Sequence, residues 1–108
     1  GEKEESKIMM RKALVVASEI RYNSVKSGIY GELSELILEQ GEKEESKIMM
    51  RKALGVASEV KNNRDKSMAY GTLSKVLMKQ GEKEEAKKVM KDSLLFASEI
   101  NYDEIEKF

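Results

Sequence analysis

Ser58-Glu59-Val60-Lys61 has the serine-to-lysine spacing of an acyl-transfer nucleophile and its base, and Lys26-Ser27-Gly28 echoes a companion motif of the same chemistry. A serine hydroxyl is a weak nucleophile until a neighbouring base takes its proton, so the motif means something only inside the fold that brings these parts together. Both stretches are short and fall in helical or hinge sequence without the rest of that fold, and they read as ordinary helical serines. Gly28-Ile29-Tyr30-Gly31 is no phosphate cradle, because it lies inside a helical pattern with no strand before it. The chain has no His and no Cys, which removes the usual general base and the thiolate nucleophile. Carboxylates are plentiful, but they alternate with lysine in runs such as Glu42-Lys43-Glu44-Glu45, the pattern of a solvated helix face with i,i+4 pairing. With only three Asp and no converging ligand set, neither a metal nor a cofactor is expected, and the chain is not expected to be an enzyme.

The composition bounds the class. At 108 residues, 40% apolar and 37% charged, with no proline, the chain suits a single helical domain over residues 1–108 with one modest core. No apolar run approaches the ~18 residues of a membrane span, and no apolar segment near the start resembles a secretory signal. The cytoplasm is the default location. Twenty basic residues balance twenty acidic ones, so the whole chain has no pull toward nucleic acid or anionic membrane. The balance is uneven along the chain. Residues 1–40 carry six basic and seven acidic side chains (−1), residues 41–80 nine and five (+4), and residues 81–108 five and eight (−3). Alternating signs suit neighbouring segments that attract one another.

Those segments are repeats. GEKEESKIMMRKAL at Gly1 returns unaltered at Gly41, and GEKEEAKKVMKDSL at Gly81 is a looser copy. Residues 41–80 match 1–40 at 26 of 40 positions, a period in the range of stacked helical hairpins. In the first unit, Ile8, Met9, Met10, Ala13, Leu14, Val16, Ala17 and Ile20 make an apolar stripe at three- and four-residue spacing, and Ile29, Tyr30, Leu33, Leu36, Ile37 and Leu38 make another. The pattern predicts five helices, at about 2–21, 24–39, 42–61, 65–79 and 82–100 or longer. Gln40-Gly41 and Gln80-Gly81 end the second and fourth, glycine being favoured just past a helix C-terminus. Asn23 and Asn63 mark the hinge within each unit as a cap or turn. Gly55, mid-helix where the first unit has Val15, points to close packing against a neighbour.

Across each interhelical glycine the register becomes specific. Tyr30, Leu33, Ser34, Ile37, Gly41, Ser46, Met50 and Ala53-Leu54 are followed forty residues on by Tyr70, Leu73, Ser74, Leu77, Gly81, Ala86, Met90 and Ser93-Leu94. This joint spacing of large and small residues resembles the tetratricopeptide repeat. The usual unit has 34 residues rather than 40, and the proline that commonly ends its second helix is missing, with Ser58 and Ser98 near its place. The resemblance implies an all-α solenoid of antiparallel helical hairpins, wound as a right-handed superhelix, with repeats at 1–40, 41–80 and a partial 81–108. In that register the chain opens on a second helix and closes on one, so the terminal helices each lack a neighbour.

What the resemblance implies for function is a non-catalytic scaffold for protein–protein interaction. The first helix of each pair would line a concave face that takes a peptide or partner helix. That face would carry Gly28, Gly31, Glu35, Leu38 and Glu39 from one unit and Met68, Gly71, Lys75, Met78 and Lys79 from the next. Met68, Met78 and Leu38 would offer adaptable apolar contact, and Glu35 and Glu39 would pair with Lys75 and Lys79 across the groove. Gly31 and Gly71 each cost ~1 kcal/mol in a helix interior relative to Ala, which a ligand or, more readily, a closely packed helix must offset. The alternative is a designed or excised repeat segment with no ligand, self-associating end to end or by swapping through its uncapped terminal helices. RNA binding is disfavoured by the neutral total charge and the lack of a basic stripe.

Overall fold

The computed structural model describes residues 1–99. Five helices follow one another: α1 (Glu2–Ser18), α2 (Asn23–Glu39), α3 (Lys43–Ser58), α4 (Asn63–Lys79) and α5 (Lys83–Ser98). The expected extension of the last helix to Ile100 lies outside the described residues. Glu2, Glu4 and Glu5 occupy the first turn of α1, and Glu44-Glu45 and Glu84-Glu85 the first turns of α3 and α5, where they complement the helix dipole.

The two kinds of boundary have different chemistry. Gly41 and Gly81 adopt φ of 84° and 81°, the left-handed conformation that closes α2 and α4. The amide of Glu42 then donates back to the Ile37 carbonyl at 3.2 Å and that of Gly41 to Leu38 at 2.9 Å, the double closure of a Schellman motif. Glu82 to Leu77 and Gly81 to Met78 repeat it. The other boundaries fall at serine, and Ser18 and Ser58 stand three residues short of the expected ends at residues 21 and 61. The hydroxyls of Ser18, Ser58 and Ser98 donate to the carbonyls of Val15, Gly55 and Leu95 at 2.6–2.7 Å, satisfying helix-end acceptors from within the last turn. The cap that follows is also displaced. Asn62, not Asn63, accepts from the amides of Arg64 (2.9 Å) and Asp65 (3.1 Å) to start α4, whereas Tyr22 holds that place before α2 and provides no side-chain cap.

α2 packs chiefly on α3 and α4 on α5, and α2 lies beside α4, so the hairpins are joined across the glycine turns and then set side by side. The assembly measures 55 × 30 × 18 Å, a flat array. Its core draws Tyr30, Leu33 and Ile37 from α2, Met49, Met50, Ala53 and Ala57 from α3, and Ala69, Leu73, Val76 and Leu77 from α4, with Ala86 and Val89 from α5. Small residues sit where helices approach closest. A Cβ added at Gly31 would lie 2.6 Å from Cδ2 of the fully buried Leu73, so the Leu73 side chain packs directly on the α2 backbone there and would have to shift for a side chain to fit. Gly71 is less crowded, its nearest neighbour being Ser93 Oγ at 3.4 Å. Gly55 is the reverse of the expectation. It is exposed with nothing within 4 Å, so no neighbour packs on it.

A buried polar network joins the units. Ser46 donates to the Ser34 carbonyl at 2.7 Å, and the Gln80 amide donates to Ser34 Oγ at 3.1 Å and Ser46 Oγ at 3.4 Å. One repeat earlier, Gln40 donates to Ser6 in the equivalent way. Each glutamine sits at the end of the first helix of a hairpin and reaches back to a serine on the preceding second helix. Within the last hairpin Ser67 and Ser93 exchange hydroxyl-to-carbonyl bonds at 2.8 and 2.7 Å, crossing α4 to α5.

Candidate functional site

The sequence-predicted residues divide among three environments. Gly28 and Met68 come together. With Val25, Asp65 and Thr72 they line a cleft of about 230 Å³ between the N-terminal halves of α2 and α4. No atom lies within 4 Å of a Cβ added at Gly28, so the glycine widens the cleft, and Met68 stands 63% exposed at its edge. Farther along the same pair of helices, Lys79 Nζ lies 3.7 Å from Glu35 Oε1, the cross-unit pairing expected from the charge pattern. Exposed pairs of this kind contribute ~0.2–1 kcal/mol, enough to set register but little stability. Lys75 and Glu39 are exposed nearby on α4 and α2.

Gly31 and Gly71 are elsewhere. Gly31 is buried beneath Leu73 and Gly71 is half-buried against Ser93, so their part is helix–helix contact. Leu38 is also apart from the cleft. It lines a second, larger groove of about 480 Å³ between α3 and the start of α5. Met78, its counterpart one unit on, is 49% exposed.

The residues weighed for catalysis are occupied otherwise. The Ser58 hydroxyl donates to a backbone carbonyl at a helix end, and Ser27 donates to the Ser24 carbonyl at 3.0 Å, so neither proton is directed at a base. Among the described residues no three His, Cys, Asp or Glu side chains gather as a metal site, and no helix is long and apolar enough to cross a membrane. Among the described residues one titration is displaced. The Tyr70 phenol is raised above its ordinary 10.0, first by burial and then by the nearby Asp92 carboxylate. Tyr70 stacks on Phe96 with ring centroids 5.2 Å apart, and Lys66 Nζ sits 4.6 Å from the Phe96 centroid on the other hairpin arm.

Neither the glutamine–serine contacts between hairpins nor the larger groove is among the sequence expectations. The signal for the contacts is the recurrence of Gln40 and Gln80 thirty-four residues after Ser6 and Ser46, a spacing that stays within one forty-residue unit but links successive hairpins.

No curated protein and no solved structure matches the chain. Residues 69–99 match the model of the tetratricopeptide repeat family, a module that generally mediates protein–protein interaction. The matched stretch runs from within α4 to the end of α5, across the turn at Gly81 that corresponds to the α2–α3 turn at Gly41. Hairpin pairing, the five-helix all-α architecture and that match over residues 69–99 together fit a tetratricopeptide-like repeat.

Proposed function

We propose that the chain acts as one repeat domain, residues 1–108, and serves as a non-catalytic scaffold that binds a peptide or partner helix along α2 and α4. The observation that supports this reading is the open cleft at Gly28 and Met68, where a flexible, exposed methionine stands beside backbone left bare by a glycine. An apolar anchor seated there would meet Met68, while the Glu35–Lys79 pair and Lys75 lie along the same two helices to position polar groups. The test is a display selection for peptides that bind the purified chain, followed by Met68→Glu and Gly28→Leu variants. Loss of binding by about tenfold or more with unchanged thermal melting supports the cleft. Selected peptides that ignore both substitutions exclude it.

A second reading is favoured by the first helix. Met9 and Val16 are largely exposed on α1, where their counterparts in α3, Met49 and Val56, are buried and half-buried, and a second copy would shield them. Light scattering during size exclusion, repeated with Met9→Lys and Val16→Lys, separates the two. A dimer that the lysines dissociate supports self-association, and a monomer at high concentration ends it.

A further inference from the structure

Lys7 and Glu42 form an ion pair at 3.5 Å between α1 and the start of α3. Their counterparts forty residues on are Lys47 and Glu82, and among the described residues no ion pair joins these two. The first interface carries a charge pair, and at the second the two side chains stand apart. Lys47 and Glu82 stand on opposite walls of the groove of about 480 Å³ between α3 and the start of α5, a volume within the ~300–1,000 Å³ of ligand clefts.

The walls differ in sign. The α3 side presents Lys43, Lys47 and Arg51, all exposed, and the α5 side presents Glu82 and Glu85, also exposed. Between them the floor is largely apolar, with Met50 and Leu77 buried and Leu38 and Leu54 half-covered, beside the hydrogen-bonded Ser46 and Gln80. A floor of this kind gains from burying an aliphatic side chain, and walls of unlike sign orient whatever carries it. A uniformly acidic segment would be repelled by one wall and a uniformly basic one by the other. The complement is a segment carrying both charges around an apolar centre.

We propose that the α3–α5 groove is a second docking site, taking a peptide segment in which an aliphatic side chain is flanked by a carboxylate facing Lys47 and Arg51 and an ammonium or guanidinium group facing Glu82 and Glu85. It lies apart from the α2–α4 cleft, and its failure would leave the reading of that cleft untouched.

The probes are four fluorescein-labelled synthetic peptides sharing a Leu-Leu centre, flanked by Glu and Lys, by two Glu, by two Lys, or by two Gln. Fluorescence anisotropy at low salt should rank the Glu/Lys peptide first, about tenfold or more tighter than the Gln-flanked one. The double variant K47E/R51E should weaken the Glu/Lys peptide by about tenfold and make the Lys-flanked peptide the best ligand. E82K/E85K should do the reverse and favour the Glu-flanked peptide, while Met68→Glu should leave the Glu/Lys peptide unaffected. On the unaltered chain, amide chemical shifts on adding the Glu/Lys peptide should move at Lys47, Met50, Arg51 and Glu85. Equal binding of all four peptides, indifference to both charge reversals, or shifts confined to Val25, Met68 and Thr72 would overturn the proposal.

Discussion

Met9 and Met49 hold the same place in two identical fourteen-residue stretches, yet Met9 is 64% exposed and Met49 6%. Local sequence cannot separate them, so the difference belongs to their neighbours: α2 lies over α3 as its hairpin partner, and α1 has no such partner among the described helices. Truncating a buried methionine removes its transfer free energy and leaves a cavity, costing ~2–5 kcal/mol. Met49→Ala should therefore cost that much in urea denaturation, and Met9→Ala less than about 0.5 kcal/mol. Equal losses would mean that α1 is covered in solution.

Two glycines in helix interiors should respond in opposite directions. Gly55 has open space where a Cβ would go, so Gly55→Ala should stabilise the chain by about 1 kcal/mol through helix propensity. Gly31→Ala gains the same propensity but drives its methyl into Leu73, which is fully buried and has little room to turn away. Overpacking costs ~1–3 kcal/mol, so the net should be destabilising by up to about 2 kcal/mol. Chemical denaturation midpoints of the two variants give the comparison directly, and a stabilised Gly31→Ala would contradict the close approach of α2 and α4.

The hinge caps make a similar pair. Asn62 accepts two amide hydrogens at the start of α4, and Tyr22 accepts none at the start of α2. Asn62→Ala should cost ~1 kcal/mol. Tyr22→Asn should gain a comparable amount, since Tyr22 is largely exposed and little packing is lost. Thermal melts of the single and double variants will show whether the two caps act independently.

Tyr70 supplies a pH dependence. Burial and the Asp92 carboxylate raise its phenol above 10.0, so the folded state holds this proton more tightly than the unfolded state. Its contribution is fully present below pH 10 and is lost as the pH rises through the folded value. Urea midpoints measured from pH 9 to 11 should fall with rising pH, and the fall should be shallower in Tyr70→Phe. Identical slopes would show that the phenol is not perturbed by folding.

The repeat period, the five helices and the glycine turns are legible in the sequence because each rests on local preference: apolar spacing, left-handed glycine, acidic first turns. The ends of α1 and α3 are less so. The apolar pattern runs on through Ile20 and Val60, while the hydroxyls of Ser18 and Ser58 close the last turn three residues before the expected ends at 21 and 61. The candidate surface is the least legible. Gly28, Gly31, Leu38 and Met68 look alike as positions on a first helix, but what lies opposite each one separates them: open space, Leu73, the α3–α5 groove and the cleft edge. Sequence period places a residue on a helix, and only the neighbouring unit decides what that residue meets.

The glutamine contacts give the array a direction. Gln40 and Gln80 both reach from a later hairpin to a hydroxyl on the one before it, at Ser6 and Ser46. The third copy of that position is Ala86, which has no hydroxyl to offer. A further hairpin grafted behind α5 would thus lose one of the two hydroxyls that Gln80 meets, keeping only Ser74, the counterpart of Ser34, to receive its amide. An Ala86→Ser substitution in such a chimera should tighten the new junction while leaving the older ones as they are.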